Sequence, residues 1–148
     1  MERNPVTTFI DYYGLPSDFP GMASRPPGNS ISRAVHVEAM WERQISHKRF
    51  RPYLMVHEFE ALLFSKPDKL SCALHQSAVG FAKIRASFPT PEEINDNPET
   101  APSKRIIKFY PAYQKAVHGP MVAKRIGLDV IRQQCVHFNA WLGWLESL

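Results

Sequence analysis

Tyr53-Leu54-Met55-Val56-His57-Glu58-Phe59-Glu60 is the stretch that decides the fold of this chain. It opens with four apolar residues in a row, and an unbroken apolar run is typical of a strand that is buried on both faces of a sheet. Three ionisable residues follow within four positions, although a buried charge is costly unless it is paired or bound to a metal. The stretch therefore predicts a strand from Tyr53 to Phe59 in a sheet covered by helices, with a candidate site at its end.

Another predicted strand and a helix precede this stretch. Residues 6–10 are mostly β-branched or aromatic and predict a strand that ends at Asp11. A long loop rich in glycine and proline follows, and Asn29 or Ser30 is placed to cap a helix that runs to about Ser46. Strands and helices in this arrangement are typical of an α/β fold.

The remainder of the chain has a helical pattern. Thr90 and Glu93 form a capping box with Pro91 between them, which predicts a helix start, and residues 95–98 predict its early end. Ser103 is placed to cap the next helix, and from Leu128 the apolar residues recur every three or four positions, as in one or two amphipathic helices. Shorter helices are predicted at residues 61–64, 68–75 and 79–86. We therefore expect one domain over residues 1–148, with a helical C-terminal half.

Composition narrows the class of protein. A length of 148 residues is sufficient for one domain with its own core. The two cysteines, Cys72 and Cys135, lie far apart and support neither a disulfide framework nor a cysteine-based zinc site. The N-terminus has no apolar signal core, and no apolar run reaches the roughly 20 residues of a membrane helix. We therefore expect a cytoplasmic protein that has no membrane segment.

The charges are distributed unevenly along the chain. Residues 102–148 contain seven Lys or Arg and two Asp or Glu, whereas residues 1–101 contain eleven basic and twelve acidic residues. This division suits a phosphate-bearing polymer that lies across both parts, with residues 102–148 as the basic helical part of the domain. Solvated helix faces would give the same pattern.

Three carboxylates are candidate metal ligands. Asp11 ends a predicted strand, and ligands of open α/β sheets bind at the carboxyl ends of the strands. Glu58 and Glu60 would point to one face if the strand continues through them, and Asp11, Glu58 and Glu60 would then form a site for Mg²⁺. If a helix begins at Glu58 instead, both acids lie in its first turn, where the helix dipole favours them. Independently of this choice, Asp11 could simply start a turn, and His57 could be a hydrogen-bonded histidine at a strand end.

Ser103-Lys104-Arg105 is the second candidate site. Cations in the first turn of a helix oppose the helix dipole. An anion at that N-terminus would reverse the effect, because the backbone N–H groups and both cations would point at it. The three residues therefore predict a phosphate-binding site, although the two side chains could also extend into solvent.

Four segments together resemble one protein family. They are Val6-Thr7-Thr8-Phe9-Ile10-Asp11-Tyr12-Tyr13-Gly14-Leu15-Pro16, His57-Glu58-Phe59-Glu60-Ala61-Leu62-Leu63-Phe64, Ala101-Pro102-Ser103-Lys104-Arg105 and Cys135-Val136-His137-Phe138. Across nearly its whole length the chain resembles DUF4276, a bacterial family that looks like a distant relative of the Toprim domain. The resemblance implies a Toprim-like α/β fold with a small, mostly parallel sheet flanked by helices.

The resemblance also implies a chemistry. Toprim domains hold Mg²⁺ through acidic residues that follow their strands, and they cleave or transfer phosphodiesters. Asp11 matches the first acid of one Toprim motif, whose second acid is replaced here by Tyr13, and Glu58 and Glu60 match the signature of DUF4276 itself. The implied function is a nuclease-like domain in which these three acids hold Mg²⁺ or Mn²⁺.

Further roles follow from the same resemblance. His57 would orient a water or a phosphate, and Lys104 and Arg105 would bind a phosphate of the nucleic acid. The alternative is a non-catalytic subunit that docks on an ATPase partner, since families of this kind often act beside an ATPase in defence against phage. The chain also looks like the family without its leading strand and helix. We therefore expect an exposed sheet edge and a homodimer formed through it. The missing unit would carry the first glutamate of the family's metal site, so the sequence leaves open whether this fragment is active by itself.

Overall fold

Two pairs of short parallel strands form the sheet of this protein, whose computed structural model describes residues 4–95 and 98–148. Strand β1 (Val6–Thr7) pairs with β3 (Phe50–Arg51), and β2 (Ile10–Asp11) pairs with β4 (Leu54–Met55). Helix α1 (Ser30–Ile45) lies between β2 and β3 in the chain and packs against β3 and β4. The predicted α/β fold with a small parallel sheet is confirmed.

The predicted strand over residues 6–10 is interrupted at Thr8 and Phe9. The registers on either side place Thr8 opposite Pro52, which has no N–H to donate to the ladder. The side chain of Thr8 replaces the missing bonds, because its Oγ1 donates to the carbonyl of Tyr53 at 3.0 Å and accepts from the N–H of Tyr53 at 3.0 Å. One continuous pairing is thus split into two ladders of two residues each.

The apolar run that starts at Tyr53 is buried on both faces, as predicted. All four of its residues are at most 1% exposed. Tyr53 and Met55 belong to a large core formed with the C-terminal helices, while Leu54 and Val56 belong to a smaller core under α1. Alternate residues of a strand point to opposite faces, so this segment joins the two cores.

Helices make up most of the chain after residue 60, and the predicted short helices are confirmed. Those that the described residues form are α2 (Glu60–Leu63), α3 (Pro67–Ala73), α4 (Ala78–Ala86), α5 (Pro102–Phe109), α6 (Lys115–Ile126), α7 (Leu128–Gln134) and α8 (Val136–Glu146). The apolar pattern from Leu128 corresponds to two helices, which meet at Cys135. No helix in the described ranges is long and apolar enough to cross a membrane.

Three local predictions were wrong. The strand expected to reach Phe59 ends at Met55, because its partner β2 ends opposite that residue. The helix expected after Thr90 is a single 3₁₀ turn, Pro91–Glu93, in which the Thr90 hydroxyl contacts the Glu93 carboxylate at 3.4 Å and caps no backbone N–H. Ser103 is the second residue of α5 and does not cap it. Of the predicted break at residues 95–98, positions 96 and 97 lie outside the described residues.

Two glutamates join segments that are distant in sequence, Glu92 on the 3₁₀ turn and the partly buried Glu38 on α1. Glu92, 1% exposed, accepts the backbone N–H groups of His137 and Phe138 at 3.0 and 2.9 Å, at the start of α8. Glu38 of α1 accepts the N–H of Leu54 at 2.6 Å and contacts His137 Nε2 at 3.0 Å. Glu92 thus serves the start of α8, where no local side chain caps the helix, whereas Glu38 fixes α1 to β4.

The outer edge of the sheet is exposed. Val6, Phe9 and Ile10 are 40–54% exposed, and in the described part of the chain β1 and β2 each pair with one neighbour only. Such an edge offers unpaired backbone groups to another chain. The homodimer expected from the sequence stays a prediction.

We expect Glu92→Gln to destabilise the fold by about 2 kcal/mol, because the amide retains one acceptor and turns its NH₂ toward the second N–H. Urea unfolding at neutral pH measures this change. Glu93→Gln, one position along on the same 3₁₀ turn, is the control and should unfold close to the wild type. Equal midpoints for the wild type and Glu92→Gln would contradict the capping role.

The pair of Glu38 and His137 predicts a pH dependence of stability. Burial acts to lower the pKa of His137, but the bond to Glu38 and the nearby Glu92 outweigh it and raise this pKa. A raised histidine pKa stabilises the fold fully below the unfolded value, and this contribution is lost as the pH rises through the folded value.

The wild type should therefore exceed Glu38→Gln in free energy of unfolding by more at about pH 6 than at about pH 9, as measured by urea unfolding at both pH values. Glutamine still accepts from the N–H of Leu54, so the comparison isolates the charge. Glu42→Gln, at an exposed position on the same helix, should show no such difference. The prediction would be refuted if the wild type and Glu38→Gln differed in free energy of unfolding by the same amount at both pH values.

Candidate functional site

Lys115 joins two of the three predicted carboxylates. Its Nζ lies 3.1 Å from Oε1 of Glu58 and 3.6 Å from Oε2 of Glu60. Both glutamate side chains are buried, whereas the lysine side chain is 55% exposed. The two carboxylates therefore converge on one cationic position that is reached from solvent.

Glu58 lies at the N-terminus of α5. Its Oε2 accepts the backbone N–H of Ser103 at 2.8 Å, and its Oε1 accepts the Ser103 hydroxyl at 3.1 Å. Burial acts to raise the pKa of Glu58, but the bonds from Ser103 and Lys115 outweigh it and hold this pKa below its usual value. Glu58 thus supplies the anion that the sequence predicted at this helix start.

Glu60 is the first residue of α2 and is less fully satisfied than Glu58. The Tyr113 hydroxyl donates to its Oε1 at 3.3 Å. Burial raises the pKa of Glu60, and Lys115 offsets this only in part. A buried carboxyl with a raised pKa is a candidate proton acceptor or donor.

Asp11 is the last residue of β2 and lies within reach of the charge of Glu58. Burial raises its pKa, the charge of Glu58 raises it further, and Lys115 lowers it. Tyr13 belongs to the same cluster, since burial raises its pKa and the charges of Glu58 and Asp11 raise it further. Asp11 and Tyr13 thus lie close enough to Glu58 to interact with its charge, while the three-carboxylate metal site stays a prediction.

An open cleft of about 440 Å³ adjoins this cluster. It is lined by Asp11, Phe59, Glu60, Lys115, Ala116 and Pro120. Pro120 has no N–H for the carbonyl of Ala116, one turn earlier in α6. The cleft thus presents two carboxyls, an ammonium and an apolar wall to a ligand.

The other predicted residues lie elsewhere. His57 is buried and its Nδ1 is 3.2 Å from the Asn95 side-chain nitrogen. Ser103 faces Glu58, whereas Lys104 and Arg105 line a different cleft, between α4 and α5. The structure therefore divides the predicted phosphate site into two parts.

The donor set suits a hard divalent cation, but it is incomplete. In residues 4–95 and 98–148, no group of three His, Cys, Asp or Glu side chains is placed to hold a metal. Glu58 and Glu60 are the only two of the predicted ligands seen to converge in the described residues. Mg²⁺ usually keeps several waters and binds one or two carboxylates together with substrate phosphates.

Sequence reasoning missed Lys115 and Tyr113. Lys115 is the first residue of α6, so its charge opposes the helix dipole. The same argument singled out Lys104 and Arg105, and it would have found Lys115 had the start of α6 been recognised. No comparable pattern marks Tyr113, whose role depends on a contact 53 positions away in sequence.

Lys115→Met should destabilise the fold at neutral pH. Breaking a buried ion pair costs about 3–5 kcal/mol, but Lys115 is half exposed and screened, so we expect about 1–2 kcal/mol. Without the ammonium, the folded pKa values of Glu58 and Glu60 rise. A carboxyl whose folded pKa lies above its unfolded value loses stability as the pH rises between them.

The penalty of Lys115→Met should therefore shrink as the pH falls from about 7.5 to about 5, as measured by urea unfolding. Lys124→Met removes an exposed lysine from the same helix and is the matched control. An equal penalty at both pH values, or the same behaviour in the control, would contradict the proposed pairing.

The comparisons with known proteins agree with the resemblance seen in the sequence. The model of the domain of unknown function DUF4276 matches residues 1–146, which is nearly the whole chain. No curated protein and no solved structure matches it. The chain belongs to the DUF4276 family.

Proposed function

We propose that this protein is a nuclease-like domain that cleaves phosphodiesters with Mg²⁺ or Mn²⁺. The observation that carries the proposal is the convergence of Glu58 and Glu60 on the ammonium of Lys115, beside Asp11 at the carboxyl end of β2. Ligands of α/β sheets bind at this edge. A position that already holds one cation between two carboxylates has the charge that a divalent ion requires.

The metal would be held by Glu58 and Glu60, the two carboxylates that converge, with substrate oxygens and water completing its shell and Asp11 beside it in the cleft. When bound, it polarises the phosphoryl oxygen and lowers the pKa of water. Glu58 keeps its bond to the N–H of Ser103, so its carboxylate stays in place when ligands change. This anchoring supports a role in positioning.

Glu60 would accept the proton of the attacking water, and Lys115 would stabilise the negative charge of the phosphate. Glu60 lines the cleft and has a raised pKa, which suits it to accept a proton from the attacking water. Lys115 also lines the cleft and is half exposed, so its ammonium can donate to a non-bridging phosphate oxygen without leaving the site. His57 lies outside the residues that line this cleft, and we assign it no contact with the substrate.

The alternative function is a non-catalytic subunit that docks on an ATPase. One observation favours it: Lys115 already forms ion pairs with both glutamates, an arrangement that a purely structural role would also explain. The two functions differ in a simple measurement, because only the first predicts turnover that requires a divalent ion.

Purified protein should nick supercoiled plasmid or cleave single-stranded DNA or RNA in Mg²⁺ or Mn²⁺, and EDTA should stop the reaction. Asp11→Asn and Glu60→Gln should each lower the rate by about 100-fold or more, since each removes a group at the reacting phosphate. Gel assays of product against time measure this.

Glu42→Gln removes an exposed carboxylate on α1 and should keep the wild-type rate. Circular dichroism of each variant separates lost chemistry from lost folding. A folded wild-type protein that cleaves none of these substrates with either ion would overturn the enzymatic proposal and leave the docking function.

A further inference from the structure

A second cleft, of about 280 Å³, lies between α4 and α5. Its lining combines basic side chains with an apolar wall: Gly80, Lys83, Ile84, Glu99, Thr100, Lys104, Arg105, Lys108 and Phe109. Ser103 on the same helix faces Glu58 instead. This cleft is therefore distinct from the one beside Asp11 and Glu60.

Three lysines of the cleft have no carboxylate partner within the described residues. Lys83 comes from α4, and Lys104 and Lys108 come from α5, where they are four positions apart on one face. Like charges at this spacing repel each other, and Lys104 also opposes the helix dipole. A phosphate bound among the three ammonium groups would relieve both effects.

Arg105 and Glu99 have other partners. Arg105 donates from Nε to the carbonyl of Thr100 at 2.6 Å and lies over the ring of Phe88 at 5.2 Å. Glu99 has an interaction of its own and brings one negative charge to the rim. The three lysines therefore give the cleft an excess of positive charge even when the charge of Glu99 is counted.

The apolar wall is formed by an aromatic ring that is held in place. Phe109 is 38% exposed and packs edge-on against Phe81, with ring centroids 5.0 Å apart. Gly80 permits this position, because a Cβ there would lie 2.5 Å from the ring of Phe109. The partly exposed ring and Ile84 offer a flat surface of the kind on which nucleobases pack.

We propose that this cleft binds a nucleoside phosphate, with the phosphate among Lys83, Lys104 and Lys108 and the base against Phe109. The ligand is either a free nucleotide or one unit of a single-stranded nucleic acid, since both present the same chemistry. This proposal goes beyond the cleavage site, and binding to the cleft does not require any reaction at Asp11 or Glu60.

Fluorescence anisotropy tests the proposal with labelled single-stranded DNA and RNA 12-mers in EDTA, so that cleavage plays no part. Unlabelled AMP, ATP, inorganic phosphate and oligonucleotide serve as competitors. Three phosphate contacts predict that raising salt from about 50 to about 200 mM weakens oligonucleotide binding by about 20-fold. For a free nucleotide, isothermal titration with AMP and ATP replaces this readout.

The charge reversals Lys104→Glu and Lys108→Glu, combined in one protein, should weaken binding by about tenfold or more and flatten the salt dependence. Lys124→Glu with Arg125→Glu makes the same charge change at exposed positions of α6 and is the control. Phe109→Leu keeps the wall apolar and should reduce the preference for AMP over inorganic phosphate.

Displacement by AMP or ATP supports the free nucleotide, and displacement by oligonucleotide alone supports the single strand. Absence of binding to all probes would overturn the proposal. So would an equal loss in the control, or inorganic phosphate that competes as well as AMP.

Discussion

The structure depends on the carboxylate of Glu58. One side chain accepts the N–H and the hydroxyl of Ser103 at the start of α5 and the ammonium of Lys115 at the start of α6. The turn after β4 is thereby fixed to two helices that the chain reaches 45 and 57 positions later. The neighbouring Glu60 is brought to the same ammonium, so the candidate site is formed by the contacts that assemble the fold.

Glu92 and Glu38 repeat this arrangement elsewhere in the molecule. Glu92 accepts two N–H groups at the start of α8, and Glu38 accepts the N–H of Leu54 in β4. Glu92 satisfies donors that a local helix cap would otherwise serve, and Glu38 satisfies a donor of the strand. A buried carboxylate in this protein is therefore not by itself a sign of catalysis. The roles of Glu58 and Glu60 have to be distinguished by what each side chain contacts.

Local patterns predicted most of the helices and the burial of the run from Tyr53, because the spacing of apolar residues depends on neighbours in sequence. Asn29 likewise caps α1 with a bond to the N–H of Ser32. The errors arose where the partner is distant. The strand after Tyr53 ends early because of its register with β2, and Ser103 binds Glu58, 45 positions away. The acids of the site were found from sequence, but the cation between them was not, since the start of α6 has no side-chain cap to mark it.

Glu58 and Glu60 show why residue type alone does not assign a role. Bonds from Ser103 hold the pKa of Glu58 below its usual value, whereas burial raises that of Glu60. The bonds therefore favour the charged form of Glu58, whereas burial favours the neutral form of Glu60. Lys115 is half exposed, so its ammonium can leave both carboxylates for a phosphate without opening the core. Such an exchange would leave Glu58 bonded to the N–H of Ser103, so the shape of the site would survive a change of ligand.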